Sequence, residues 1–378
     1  MKELELYIHI PFCKQKCAYC DFLSFALPET EQNRYVEALL FEIECYRELA
    51  NNYKVTTIFI GGGTPSILSI ENMSQIIQLI KDIFYITQDV EFTIEINPGT
   101  VDEEKIRAYQ SLGINRFSIG LQATNNMELK TLGRIHTYEK FLETYELSRK
   151  CGINNINIDL ISSIPNQTVE SWNLTLEKVV KLEPDHISAY SLIIEEGTKF
   201  HEDYKELEAL LPDEEEERCM YYSTKHRLEE AGYERYEISN YAKKGKECKH
   251  NIGYWERKNY LGIGLGASSL LEDIRSTNER DFNRYIVLSK MGKSTVIEQE
   301  LLEKNNMIEE FMFLGLRKIN GVSAQVFEEE FGKSIFEVYE KPLKELVEKQ
   351  LIQVQGNQIK LTEAGIDVSN YVMAEFLI

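Results

Sequence analysis

The chain has 378 residues, 43% of them hydrophobic, which is enough for a full-sized core divided over two or three domains. Its 62 acidic against 42 basic side chains leave a net charge of −20, a surface that repels phosphate backbones and argues against nucleic-acid binding. No apolar run is long enough to span a bilayer and no signal-peptide pattern is present, so the expected setting is cytoplasmic. There the seven cysteines stay reduced and are available as metal ligands rather than as a disulfide framework.

Short apolar, β-branched runs alternate with longer helical patterns through the first half. Strands are expected at Leu4–Ile10, Val55–Ile60, Val90–Ile96, Asn115–Leu121, Asn154–Ile161 and His186–Ile194. Helices are expected between them at Glu31–Leu49, Ile70–Phe84, Asp102–Leu112, Tyr138–Cys151 and Val169–Leu182, with start signals such as Thr168-x-x-Ser171 and the acidic turn Asp102-Glu103-Glu104. This alternation predicts an α/β fold on a parallel sheet, and six units fall short of the eight that close a complete barrel. A partial (β/α)6 barrel is the expected result. An acidic helix near Pro212–Ala231 leads into Tyr233–Tyr241. From Asn305 the chain reads as mainly helical, then as a hairpin turning at Gly356-Asn357 and a last helix, a winged-helix-like order with a structural role expected on so acidic a chain. The expected division is a core at 1–240, a connecting region at 241–304 and a C-terminal domain at 305–378.

The sharpest chemical signal is Cys13-Lys14-Gln15-Lys16-Cys17-Ala18-Tyr19-Cys20. Three thiolates on one short loop after the first strand can wrap a compact iron–sulfur cluster and leave one iron without a protein ligand. A zinc site completed by His9 or Asp21 is the competing reading, although structural zinc fills all four positions. Lys14 and Lys16 are expected to favour ionised thiols. Other expected strands end in polar or glycine-rich residues: Gly61-Gly62-Gly63-Thr64-Pro65 after the second, Glu95-Ile96-Asn97 on the third, Gln122 on the fourth and Asp159 on the fifth. Barrel proteins collect functional groups at such ends.

The C-x-x-x-C-x-x-C spacing, with Tyr19 before its last cysteine, resembles the radical SAM signature. The lead-in Tyr7-Ile8-His9-Ile10-Pro11-Phe12 is similar to the opening of the oxygen-independent coproporphyrinogen III dehydrogenase family. That resemblance implies a radical SAM barrel in which Cys13, Cys17 and Cys20 hold a [4Fe–4S] cluster and S-adenosylmethionine chelates its open iron. It further implies cofactor contacts by Tyr7, Tyr19, Gly62, Gly63, Thr64, Glu95, Gln122, Arg134 and Asp159, and an electron donor for the cluster. Ser163-Ile164-Pro165 departs from the family's Gly-x-Pro, so the loop after Asp159 is expected to differ.

Two residues beyond Cys20 the decarboxylating enzymes of that family carry a fourth cysteine, whereas this chain has Phe22. His250-Asn251-Ile252-Gly253-Tyr254-Trp255 matches an H-N-x-x-Y-W motif. Both features resemble the HemW branch, interpreted as haem chaperones. This implies haem as a ligand, His250 as its iron ligand with Cys248 as a rival, Tyr254 and Trp255 as flat walls, and delivery to haem-accepting proteins. Some of those acceptors are expected to be membrane-associated. Ser268 stands where relatives often carry histidine. Cys45, Cys151 and Cys219 read as packing residues. The alternative function is oxidative decarboxylation of coproporphyrinogen III. An acidic winged-helix regulator with a structural cluster has little support, and the oligomeric state is left open.

Overall fold

The computed structural model describes residues 1–378. Six strands lie side by side in parallel and in chain order: β1 (Lys2–Ile10), β2 (Tyr53–Gly62), β3 (Tyr85–Ile96), β4 (Arg116–Gln122), β5 (Ile156–Ser162) and β6 (His186–Ser191). Each return is a helix on one face of the sheet: α1 (Glu29–Cys45), α2 (Ile70–Ile83), α3 (Glu103–Ser111), α4 (Tyr138–Lys150) and α5 (Val169–Val180). The last four start alike, with the side-chain oxygen of Ser69, Asp102, Thr137 or Thr168 accepting a backbone N–H of the first turn. These caps satisfy donors that a helix start otherwise leaves bare.

Strand alternation then separates two chemistries. Ile94, Ile96, Phe117, Ile119, Ile158, Leu160 and Ile187 turn to the helices and join a core of 50 buried residues. Their neighbours Glu95, Ser118, Asn157, Asp159, His186 and Ser188 face the other way, so the concave side of the sheet is polar. That distribution suits a barrel that holds ligands rather than one packed solid.

The sheet continues past these six. After the capping-box helix α6 (Glu214–Glu230), β8 (Asn240–Ala242) adds antiparallel to β6 and β7 (Glu234–Arg235) adds antiparallel to β8. A short helix α7 (Lys249–Trp255) precedes β9 (Tyr260–Ile263), which pairs in parallel with β1. β10 (Ser268–Leu271), β11 (Ile274–Asn278) and β12 (Val296–Leu301) complete twelve strands, with β12 and β7 at the free edges. The barrel is therefore partial, as the strand count predicts. Between residues 260 and 301, β9 to β12 belong to the main sheet, with a helix at Phe282–Lys290 between β11 and β12.

A second core of 18 buried residues runs from Ile308 to Phe376. It packs helices, including α8 (Lys304–Gly315), against a three-stranded sheet of β13 (Val322–Ser323), β14 (Ile352–Gln355) and β15 (Gln358–Leu361). The hairpin turns at Gly356, whose φ of +60° is open to glycine at little cost. The winged-helix-like order is present. No helix is long and apolar enough to cross a membrane.

Several expectations shift. The first helix breaks at Tyr46 instead of running to Leu49, the third strand begins five residues early at Tyr85, and the sixth stops at Ser191. Cys151 packs inside, but Cys45 and Cys219 are exposed. Ser163 adopts φ +61°, the left-handed backbone that glycine takes freely, so the loop keeps a glycine-like turn without the glycine.

Candidate functional site

The loop carrying the three cysteines is held by backbone bonds, not by its sulfurs. Phe25 N–H donates to Pro11 O at 2.8 Å, Cys13 N–H to Phe25 O at 3.0 Å, and Ala18 N–H to Leu132 O at 3.0 Å. From the β2 side, Gly63 N–H donates to Ile10 O at 2.9 Å and Thr64 N–H to Phe12 O at 2.7 Å. A Cβ on Gly63 would lie 2.6 Å from Phe12 O, so only glycine permits this approach.

All three thiols rim one cavity of about 120 Å³. Tyr19, Gly62, Gly63 and Thr64 line it with them, as do Glu95, Gln122, Arg134 and Asp159 from the ends of successive βα units. Eleven of the thirteen sequence-designated residues thus converge, and Tyr7 and His250 lie elsewhere. Tyr7 packs behind the cavity, its phenol 3.0 Å from His9 Nδ1 and its ring against Phe59.

Asn97, which sequence reasoning did not single out as a site residue, joins the parts. Its amide donates to Thr64 Oγ1 at 2.6 Å and its oxygen accepts from Arg134 at 2.6 Å. Thr64 Oγ1 lies 3.4 Å from Cys13 Sγ, and the other arm of Arg134 points at Cys17 Sγ at 3.7 Å. One hydrogen-bonded bridge therefore runs from Cys13 to Cys17 around the cavity and brings a guanidinium to the sulfurs. The only sequence signal for Asn97 was its place before Pro98 at a strand end. Gln122 sits at φ +74° where the β4–β5 register slips, a strained backbone of the kind that clusters at working sites.

Burial governs the titrations here. It pushes the Cys20 thiol up to about 11, against a smaller opposing effect from the Phe22 backbone N–H, with Lys16 a minor influence. At Cys20 desolvation thus outweighs the lysine. Burial and then the Asp159 charge push Glu95 up to about 8. Asp159 is raised as well, mainly by burial, with hydrogen bonds from Asn157 and Ser118 offsetting part of the effect.

The donor set fits a [4Fe–4S] cluster. His9 is spent, with Nδ1 on Tyr7 and Nε2 on Leu23 O at 2.9 Å, and so is not free to complete a zinc site. Nowhere do three His, Cys, Asp or Glu donors gather at single-ion distance. Sulfurs held apart suit a cubane, which takes each at a different iron, and not one tetrahedral ion. Cys13, Cys17 and Cys20 would hold such a cluster, which when reduced would supply an electron to a sulfonium compound bound beside it. The cavity's own residues supply backbone approach at Gly62 and Gly63, carboxylates at Glu95 and Asp159, and a cation at Arg134.

Residues 7–179 match the radical SAM superfamily model and residues 302–368 the HemN C-terminal domain. The chain is 37% identical to the heme chaperone HemW of Lactococcus lactis, over 98% of this chain and 97% of that protein. It is 35% identical to the heme chaperone HemW of Bacillus subtilis over 98% of both chains. This chain belongs to the HemW family. To the HemW protein of Escherichia coli it is 40% identical over 70% of its length and 69% of that protein. The solved structure of Escherichia coli coproporphyrinogen III oxidase (HemN) superposes with a TM-score of 0.88 at 23% identity, over 100% of this chain and 90% of that one, which establishes the shared fold.

Phe22, the residue that separated the HemW branch in the sequence, lines the cluster cavity and is exposed. The HemW-type motif lies on α7, at the opposite end of the strands. There a cavity of about 760 Å³ opens between α7 and the C-terminal unit. Ile252, Trp255, Tyr236 and Phe311 line it together with Arg235, Arg257, Lys258 and Lys318. The Trp255 ring lies 4.4 Å from the Arg317 guanidinium.

His250 is not an open imidazole, which differs from the sequence expectation. It is 1% exposed, with Nδ1 2.7 Å from Thr57 Oγ1 and Nε2 3.0 Å from Tyr254 OH. Its ring stacks on Phe59, and burial lowers it to about 3, so it stays neutral. Cys248, the rival, is fully buried and its thiol is pushed up to about 12 by burial. Both residues pack α7 onto β2 and β3. Glu91 of β3 completes that seat by accepting the Lys249 and His250 backbone N–H groups at 3.1 Å each.

Proposed function

We propose that this protein is a haem chaperone that binds haem and passes it to acceptor proteins, while Cys13, Cys17 and Cys20 hold a [4Fe–4S] cluster with S-adenosylmethionine beside it. The observation that carries the reading is the end-to-end likeness, at 35% and 37% identity, to relatives named heme chaperones. The α7 cleft supports it chemically. Its size suits a drug-sized or larger ligand and the indole of Trp255 offers a flat apolar wall, while Arg235, Arg257, Lys258 and Lys318 are paired with Glu363, Glu310 and Glu256, so a haem carboxylate binds them by displacing a glutamate. In this reading His250 seats α7 through Thr57 and Tyr254, and it ligates iron only where the ring gives up its bond to Tyr254 on the same helix. Membrane-associated acceptors and an electron donor belong to the same reading.

Haem titration of the purified chain tests it. A stoichiometric Soret-absorbing complex is expected, weakened about tenfold by Trp255→Ala, the order of a lost aromatic anchor. His250→Ala is expected to weaken it too while leaving the iron–sulfur content unchanged. Failure to form any stoichiometric complex removes the proposal. The decarboxylase alternative rests on the fold shared with HemN, and Phe22 denies it the fourth thiol. Anaerobic turnover that yields protoporphyrinogen would revive it.

The cluster cavity carries its own pH signature. Glu95 is mostly protonated below pH 8, and a sulfonium ligand favours its ionised form. Affinity for S-adenosylmethionine is therefore expected to rise between pH 6.5 and pH 8, by up to about tenfold per unit, and then level off. Glu95→Gln should bind more weakly with a flat profile. A wild-type profile that falls over this range contradicts the assignment.

A further inference from the structure

The two cavities are joined by a buried chain of hydrogen bonds. Asp159 lines the cluster cavity, and Asn157 Nδ2 donates to its Oδ1 at 2.8 Å and to Ser118 Oγ at 2.8 Å. Asn157 Oδ1 is then an acceptor, 2.6 Å from His186 Nδ1 and 3.2 Å from Ser188 Oγ. His186 Nε2 is 2.8 Å from Tyr236 OH, and that oxygen accepts the Cys248 backbone N–H at 3.3 Å. Cys248 is the cap of α7, and Tyr236, Ile252 and Trp255 line the cleft. Asn157 is 2% exposed and His186 not at all, so water does not interrupt the chain.

The donors along it have one consistent direction. An amide that gives both hydrogens to Asp159 and Ser118 can only accept from His186, which places the imidazole hydrogen on Nδ1. Nε2 is then bare and must accept the Tyr236 hydroxyl hydrogen. Having donated, the Tyr236 oxygen is a stronger acceptor for the α7 cap, since donation and acceptance at one hydroxyl reinforce each other. Reversing the chain would need a protonated Asp159, a turned amide and the other imidazole tautomer, and would leave the Tyr236 hydrogen without its His186 acceptor. Arg116 and Glu95 face Asp159, Arg116 also faces His186, and Arg116, Cys248 and Glu237 face Tyr236. Burial, and then Arg116, keep His186 neutral, as a two-way link requires.

We infer that Asn157, His186 and Tyr236 are positioning residues through which a cationic ligand against Asp159 fixes the seat of α7, and with it the wall of the cleft. This rests on the proposed reading of the two cavities. A positive charge at Asp159 favours its ionised form and hence the direction that holds the α7 cap. S-adenosylmethionine in the cluster cavity therefore tightens haem in the cleft, and by reciprocity haem tightens S-adenosylmethionine.

The test uses the cluster-loaded full chain and its Tyr236→Phe variant at matched iron content. S-adenosylmethionine is expected to raise wild-type haem affinity about fivefold to tenfold, the range of ordinary couplings, and to leave the variant's unchanged. S-adenosylhomocysteine, which lacks the sulfonium charge, should have a smaller effect. Hydrogen exchange of residues 248–255 needs no haem and should slow on adding S-adenosylmethionine in the wild type only. Slowed exchange lost in the variant upholds the link even where haem fails to bind, an outcome that would fall on the chaperone reading alone. Equal slowing in both proteins, or none in either, overturns the inference. So does equal haem coupling in both.

Discussion

Replacing Cys13, Cys17 and Cys20 together by alanine is expected to abolish the visible iron–sulfur absorbance of anaerobically reconstituted protein and to bring its iron to background. Each sulfur serves a different corner of a cubane, so no neighbouring side chain can substitute, and His9 is already committed to Tyr7 and Leu23. The fold should survive, because the loop is tied down by the backbone of Cys13, Ala18 and Phe25 and none of the three cysteines belongs to the 50-residue core. Losing the contacts to Thr64 and Arg134 costs about 1 kcal/mol apiece at most. Circular dichroism should therefore match the wild type while the iron is gone. Full iron retention in the triple variant would remove the ligand assignment, and with it the radical SAM chemistry.

Gly63→Ala should produce nearly as large a loss by a different route. The new Cβ would press on Phe12, at 2.6 Å from its oxygen and 2.9 Å from its nitrogen, and both partners are main chain. Neither side can rotate away. The Gly63–Ile10 and Thr64–Phe12 bonds hold the β2 turn against the strand that feeds the cysteine loop. Relief requires the two to part, which costs about 1–3 kcal/mol and moves Cys13 from Thr64. Reconstituted iron should fall several-fold and denaturation should begin at lower denaturant. Unchanged iron and stability would show that the β2 turn does not brace the cluster loop.

Much of this site was legible because its residues announce themselves locally. Three cysteines in eight positions, a glycine triplet at a strand end and polar residues at successive strand ends depend on short spacing and two-residue periodicity. Phe22 was readable for the same reason, as a missing thiol at a fixed offset. Asn97 was not, since its role is to span Thr64 and Arg134, which come from separate returns of the chain. The partners of His250 were hidden for a related cause: Thr57, which holds Nδ1 of its ring, lies some two hundred residues earlier.

The sequence by itself determined the class of fold, the alternation of six strands with five helices, the three-cysteine loop, the winged-helix-like ending and the family. These follow from periodicity, capping and motif spacing, which act over a few residues at a time. Only the tertiary structure decided which side chains share a cavity and which are already satisfied. It carried β9 to β12 into the main sheet, opened the α7 cleft opposite the cysteine loop, and threaded Asp159, Asn157, His186 and Tyr236 into one chain. The reason is physical: a buried polar group must find its partner wherever in the chain that partner lies, and hydrogen-bond satisfaction across a sheet carries no imprint in local sequence order.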